Sequence, residues 1–124
     1  MKFILSLLTW WNNQTIGTRI FTWRHGKLVG EDDLGNKYYE NEDASRRWVV
    51  YSGPIEGSRV PAAWHGWLHH TFDNRPGNNP LPVQSWEKPS EPNHTGTAQA
   101  YHPKGSLAAG KSAARADYEA WQPE

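Results

Sequence analysis

The stretch Arg59-Val-Pro-Ala-Ala-Trp-His-Gly-Trp-Leu-His-His-Thr-Phe72 decides how this chain folds. Pro61 suits a first helical turn, where its fixed φ helps and its missing N–H would have had no partner anyway. Val60, Trp64, Trp67, Leu68 and Thr71 then recur at spacings of three and four, so they share one side of a helix over 61–71. His65, His69 and Asp73 form a second, polar stripe on the same periodicity. What the two tryptophans are buried against, a sheet of this chain or another protein, fixes what kind of molecule this is.

Upstream, residues 18–52 carry the signals of a small antiparallel sheet. Thr18-Arg-Ile-Phe-Thr-Trp-Arg24 is rich in β-branched and aromatic residues and predicts a first strand, ended by a turn at His25-Gly26. Lys27–Asp33 predicts a second strand, Lys37–Glu40 a third and Arg46–Tyr51 a fourth. Asp33-Leu-Gly-Asn36 is a tight turn in which Gly35 takes positive φ. Strands this short are marginal alone and need cover on one face, for which the 61–71 helix is the natural candidate. The expected fold is α+β: a short antiparallel sheet covered by one helix, with an N-terminal amphipathic helix and a long extended C-terminal tail. Its segments are 1–17, 18–73 and 74–124.

The N-terminus reads Met1-Lys-Phe-Ile-Leu-Ser-Leu-Leu-Thr-Trp-Trp11. Lys2, Ser6, Thr9 and Asn13 draw one narrow polar stripe along an otherwise apolar helix. The apolar run is far short of the roughly twenty residues that cross a bilayer. No small-residue cleavage site follows it, which argues against a secretory signal. Four basic residues (Lys2, Arg19, Arg24, Lys27) precede the first acid, Glu31, so the segment suits a membrane interface or a protein partner. At the other end, seven of the nine prolines lie beyond Asp73, where only Leu81, Val83 and Leu107 supply aliphatic bulk. Such a segment cannot offset its own ordering entropy by burial. Trp86, Tyr101, Tyr118 and Trp121 punctuate it widely, as in a tail laid over another protein, and the alanine-rich Ser106–Trp121 stretch is a candidate for helix formation on binding.

Composition excludes several functions. Thirteen basic and thirteen acidic side chains cancel, and a neutral chain lacks the cationic surface on which nucleic-acid affinity depends. With no cysteine there is no disulfide, thiolate metal site or Cys nucleophile. Eight tryptophans beside one methionine and few aliphatics point to a contact surface rather than a roomy private core. His65-x-x-x-His69 with Asp73 has the spacing of metal ligands and defines one alternative, a zinc-binding module or zinc enzyme. Gly66, however, stands where a zincin helix needs glutamate, and no further His completes the set. The acidic clusters Glu31-Asp32-Asp33 and Glu40–Asp43 lack the spacing of a calcium loop and read as solvated turns. A free peripheral membrane-binding module is the remaining alternative.

Three blocks, Val29–Glu40, Arg46-Arg-Trp-Val-Val-Tyr51 and Ser58–Asp73, resemble the alpha-subcomplex subunit 12 family of respiratory complex I, the proton-pumping NADH:quinone oxidoreductase. The resemblance runs over roughly residues 15 to 90, in the family's order and spacing, and is most specific in the third block. It implies a non-catalytic accessory subunit on the peripheral arm near the membrane junction, without a cofactor of its own, docked on the core iron–sulfur subunits and other accessory subunits. A related assembly factor shares the motif, so an assembly role is the alternative within the family. The lack of an Arg/Ser-rich transit peptide looks more bacterial than mitochondrial, placing the chain on the cytoplasmic face of a bacterial inner membrane or, failing that, the matrix face of the mitochondrial one. The expected partner or membrane contacts are Leu5, Leu8, Trp10 and Trp11 at the N-terminus, Arg46, Arg47 and Trp48 on the last strand, Trp64, Trp67, His69, His70 and Phe72 around the helix, and Trp86 in the tail.

Overall fold

Residues 18–24 form a helix, not the expected first strand. The computed structural model describes Ile4, Leu8, Thr9 and residues 14–103, 105–109 and 121–123. Within it, helix α1 (Ile16–His25) starts at Thr15, whose side chain accepts from Thr18 N–H, and ends at Gly26 with Arg24 and His25 in its last turn. A hydroxyl cap and a basic last turn favour a helix at both ends, and this outweighs the β propensity of Ile20, Phe21 and Thr22. Strands β1 (Lys27–Glu31), β2 (Lys37–Glu40) and β3 (Arg47–Val50) follow as an antiparallel meander in the order β1-β2-β3. A short 3-10 turn (Gly57–Arg59) leads into helix α2 (Ala62–Leu68), whose N-cap is Pro61.

Register assigns the faces. Tyr38 pairs with Gly30 and Val49, Tyr39 with Leu28 and Trp48, and a bulge at Val29 shifts β1 between the two. Since side chains alternate along a strand, Tyr38, Glu40, Arg47 and Val49 share one face, while Tyr39 and Trp48 share the other. Helix α2 covers the first. Its core is Tyr38, Val60, Trp64 and Trp67, with Val29, Val49, Tyr51, Leu68 and Phe72 packed around it. Trp64 stacks on Tyr38 (centroids 4.1 Å, 5°), and Trp67 meets both edge-on, at 6.4 and 5.6 Å. Gly30 makes the stack possible, because a Cβ there would lie 2.7 Å from the Trp64 ring. Helix α1 touches the second face only lightly: Trp48 Nε1 donates to Thr22 Oγ1 (2.9 Å), Phe21 packs on Trp48 (5.2 Å), and α1 has no buried residue.

In the acidic cluster at 31–33, Glu31 and Asp33 are exposed as a solvated turn requires, but Asp32 is not. The Asp32 carboxylate accepts from Leu34 N, Asn36 N and Asn36 Nδ2, each at 2.9 Å, and from the Tyr38 hydroxyl at 2.8 Å. Gly35 takes positive φ (82°) as expected. Asn36, fully buried, donates on to Arg59 O and accepts from Ser52 N, tying this turn to the entry of α2. Glu40 likewise is buried and paired with Arg75 at 2.5 Å. Burial, reinforced by Asp32, pushes the Tyr38 phenol far above its ordinary range. The unfolded chain releases this proton near pH 10 and the native chain only well above it. The stability tied to neutral Tyr38 is therefore full below about pH 10 and declines as pH rises further, by up to about 1.4 kcal/mol per pH unit. Urea midpoints measured up to about pH 11 should show this slope, and Tyr38→Phe should flatten it.

Beyond Asp73 the described chain has no strand and no α-helix, only turns and a 3-10 turn at Leu107–Ala109. Two compact units divide it, one ending at Asn93 and the other beginning at His94. In the first, Leu81, Val83 and Trp86 are exposed; in the second, Tyr101, Leu107 and Trp121 are. Most of the candidate Ser106–Trp121 helix lies outside the described residues. So do Leu5, Trp10 and Trp11 of the expected N-terminal helix; Ile4 and Leu8 are helical and exposed. No helix among the described residues is long and apolar enough to cross a membrane.

Candidate docking groove

Helix α2 ends sooner than its periodicity predicts. His69 N–H bonds to His65 O, His70 N–H to Trp67 O and Thr71 N–H to Gly66 O, with His70 in the left-handed region at φ 57°. This reversal caps the helix and breaks the polar stripe after His69. The His65 and His69 rings lie 4.2 Å apart, but Asp73 is turned away to Arg47. Gly66 has its own reason for being glycine: a Cβ there would lie 2.3 Å from the Phe72 ring, which folds back over it. Among the described residues no group of three His, Asp or Glu is placed to hold a metal.

Arg47 fastens the reversal to the sheet. Its Nη1 donates to Trp67 O (2.7 Å) and Phe72 O (3.4 Å), its Nη2 pairs with Asp73 Oδ1 (2.6 Å), and its guanidinium lies 4.9 Å over the Trp67 ring. The Arg47 side chain is 5% exposed against 87% for Asp73, so its charge is used largely inside the chain. Its neighbour Arg46 is exposed, and its backbone bonds to Asn41 at the hairpin.

Between α1, β3 and the end of α2 lies an open groove of about 750 Å³. Ser45, Arg46, Arg47, Trp48 and Val49 line it along β3, with Gly17, Thr18 and Phe21 on the α1 side and Leu68, His69 and His70 on the α2 side. No carboxylate is among them. Five expected contact residues, Arg46, Arg47, Trp48, His69 and His70, are thus brought together in one place. Trp64 and Trp67 are not surface residues: they are spent in the chain's own core, and Phe72 is partly buried on Gly66. Leu8 and Trp86 are exposed and do not line the groove. The α1 wall escaped the sequence reading because 18–24 read as a strand. Thr15 three residues before Thr18, with Gly26 after His25, is the pair of helix-end signals that marks it.

The β3 floor and the α2 wall of the groove, though not the α1 wall, fall within a recognisable sequence family. Residues 26–123 match the family described as NADH ubiquinone oxidoreductase subunit NDUFA12. Among relatives, the chain is 41% identical over 70 residues to the probable NADH dehydrogenase (ubiquinone) 1 alpha subcomplex subunit 12 of Caenorhabditis elegans, covering 51% of this chain and 48% of that protein. The Mus musculus subunit of that name is 44% identical over 69 residues (46% and 48%), and the Bos taurus one 38% over 93 residues (64% of each). The chain thus spans about half to two thirds of the length of these relatives.

Proposed function

The chain belongs to the NADH ubiquinone oxidoreductase subunit NDUFA12 family, and on that premise we propose that it is a non-catalytic accessory subunit of the respiratory NADH:quinone oxidoreductase. It stabilises the peripheral arm near the membrane junction, docks on iron–sulfur core subunits and neighbouring accessory subunits, and sits peripherally on the cytoplasmic or matrix face of the inner membrane. The observation that carries this reading is the family match on a body whose described residues include four buried core side chains, while Ile20, Trp23, Leu28 and Ile55 stay exposed. On α1, Ile20 and Trp23 are 56% and 85% exposed beside Arg19 and Arg24, a surface suited to a partner or an anionic interface. The described tail adds exposed rings at wide spacing and almost no burial of its own. With no cysteine, the chain offers no thiolate to an iron–sulfur cluster.

Purification of the tagged chain from solubilised membranes tests the assignment. NADH:quinone activity and flavin should co-elute with it at a fixed ratio through two orthogonal columns. A chain that elutes apart from that activity, from cells in which the activity is present, overturns the assignment. A ratio that is high in partial complexes and zero in mature ones makes it a transient assembly factor.

A further inference from the structure

The groove runs along an unpaired sheet edge. In the β2–β3 ladder Asn41 N–H bonds to Arg46 O, so the alternation of antiparallel pairing turns the backbone groups of Trp48 and Val50 toward β2. The N–H and C=O groups of Arg47 and Val49 consequently point the other way, to the free edge, since β3 is the last strand. Those same residues line the groove, with walls on either side set by α1 and by the α2 reversal. An unpaired edge is a template for another strand, and here it lies in an open channel.

We infer that β3 accepts an extended, carboxylate-bearing segment of a neighbouring subunit as a fourth strand. Main-chain bonds to Arg47 and Val49 supply the attachment, and the channel walls supply selectivity. Arg46, His69 and His70 offer a guanidinium and imidazole donors with no lining carboxylate to answer them, while Phe21 and Trp48 offer an apolar surface for an alternate side chain. A second copy is the poorer occupant, because its own groove edge brings Arg46, His69 and His70 and no lining carboxylate to meet the same groups. The inference rests on the subunit reading for the existence of a neighbour and adds which edge is used and what chemistry it takes.

The test is amide hydrogen exchange of the isotopically labelled full chain, alone and reconstituted into the oxidoreductase complex. Trp48 and Val50 should exchange slowly in both. Arg47 and Val49 should be fast in the free chain and at least about tenfold slower in the complex. Equal rates for Arg47 and Val49 in the two states, in a chain that has joined the complex, overturn the strand addition while leaving the subunit assignment intact. A chain that does not join the complex at all overturns the assignment first. Protection that instead grows with concentration in the free chain, with a dimer mass, assigns the edge to a second copy and overturns the inference. Because Arg46 is exposed, Arg46→Glu should fold normally yet need about tenfold more chain for half reconstitution, with Arg46→Lys close to the parent. Parent-like reconstitution of Arg46→Glu rejects the acidic partner.

Discussion

Truncating Trp67 to alanine should leave the body between Lys27 and Phe72 largely unfolded in dilute solution. The Trp67 side chain is 0% exposed, lies edge-on to Tyr38 and Trp64, and carries the Arg47 guanidinium over its ring. Removing it withdraws on the order of 200 Å² of buried aromatic surface at a cost of about 3–5 kcal/mol, set against a typical total of about 5–15 kcal/mol for a whole domain. A body with four buried core side chains belongs at the low end of that range. Urea unfolding should show the cooperative transition of the parent lost or moved close to zero denaturant. In the complex proposed above, Trp67→Ala should lower the amount assembled and leave NADH:quinone turnover per flavin nearly unchanged. Full subunit content with collapsed normalised turnover would contradict a scaffolding role.

The second large effect is at Gly66, and its sign depends on a neighbour. Gly66→Ala in the parent places a Cβ 2.3 Å from the Phe72 ring and should cost about 1–3 kcal/mol. With Phe72→Ala already present the obstruction is gone, and alanine is the better helix former by about 1 kcal/mol. The same Gly66→Ala change should then be neutral or stabilising. A double-mutant cycle by urea denaturation reads the reversal directly. Equal destabilisation in both backgrounds would show that the ring is not what Gly66 accommodates.

That glycine also shows where a sequence stops being legible. In the chain it looks like a defect in a metal-binding helix; in the fold it is the seat of a ring six positions later. The apolar spacing of Val60, Trp64 and Trp67 was readable because helical periodicity is local, and the Gly35 turn because positive φ selects glycine. The strand assigned to 18–24 failed because β propensity reports packing, and α1 has little packing to report. Its true markers, the Thr15 cap and Gly26, sat at its ends. Asp32 and Glu40 read as solvated because their partners, Asn36, Tyr38 and Arg75, become partners only after the chain turns. The groove was half visible: Arg46, Arg47, Trp48, His69 and His70 stood out as residue types. What joins 45–49 to 68–70 is the Arg47 clasp on Trp67 O and Asp73, contacts across 20 and 26 residues that no spacing rule announces.

The order of elements along the chain has a consequence for its birth on the ribosome. The β1–β2–β3 meander is built from neighbouring hairpins, which close within about 1–10 μs once their residues are available. Its cover arrives only with Trp64 and Trp67, some fifteen residues after β3 ends at Val50, or roughly 1–3 s later at about 5–20 residues per second. For that interval the nascent sheet presents Tyr38, Val29 and Val49 bare, on a meander whose β1 and β3 edges are both open. The covering helix and the Arg47 clasp therefore act also as the timing signal that ends a window of vulnerability. Synonymous codons that slow translation between Val50 and Trp67 should lengthen it, raising the demand for chaperones without altering a single contact of the finished fold.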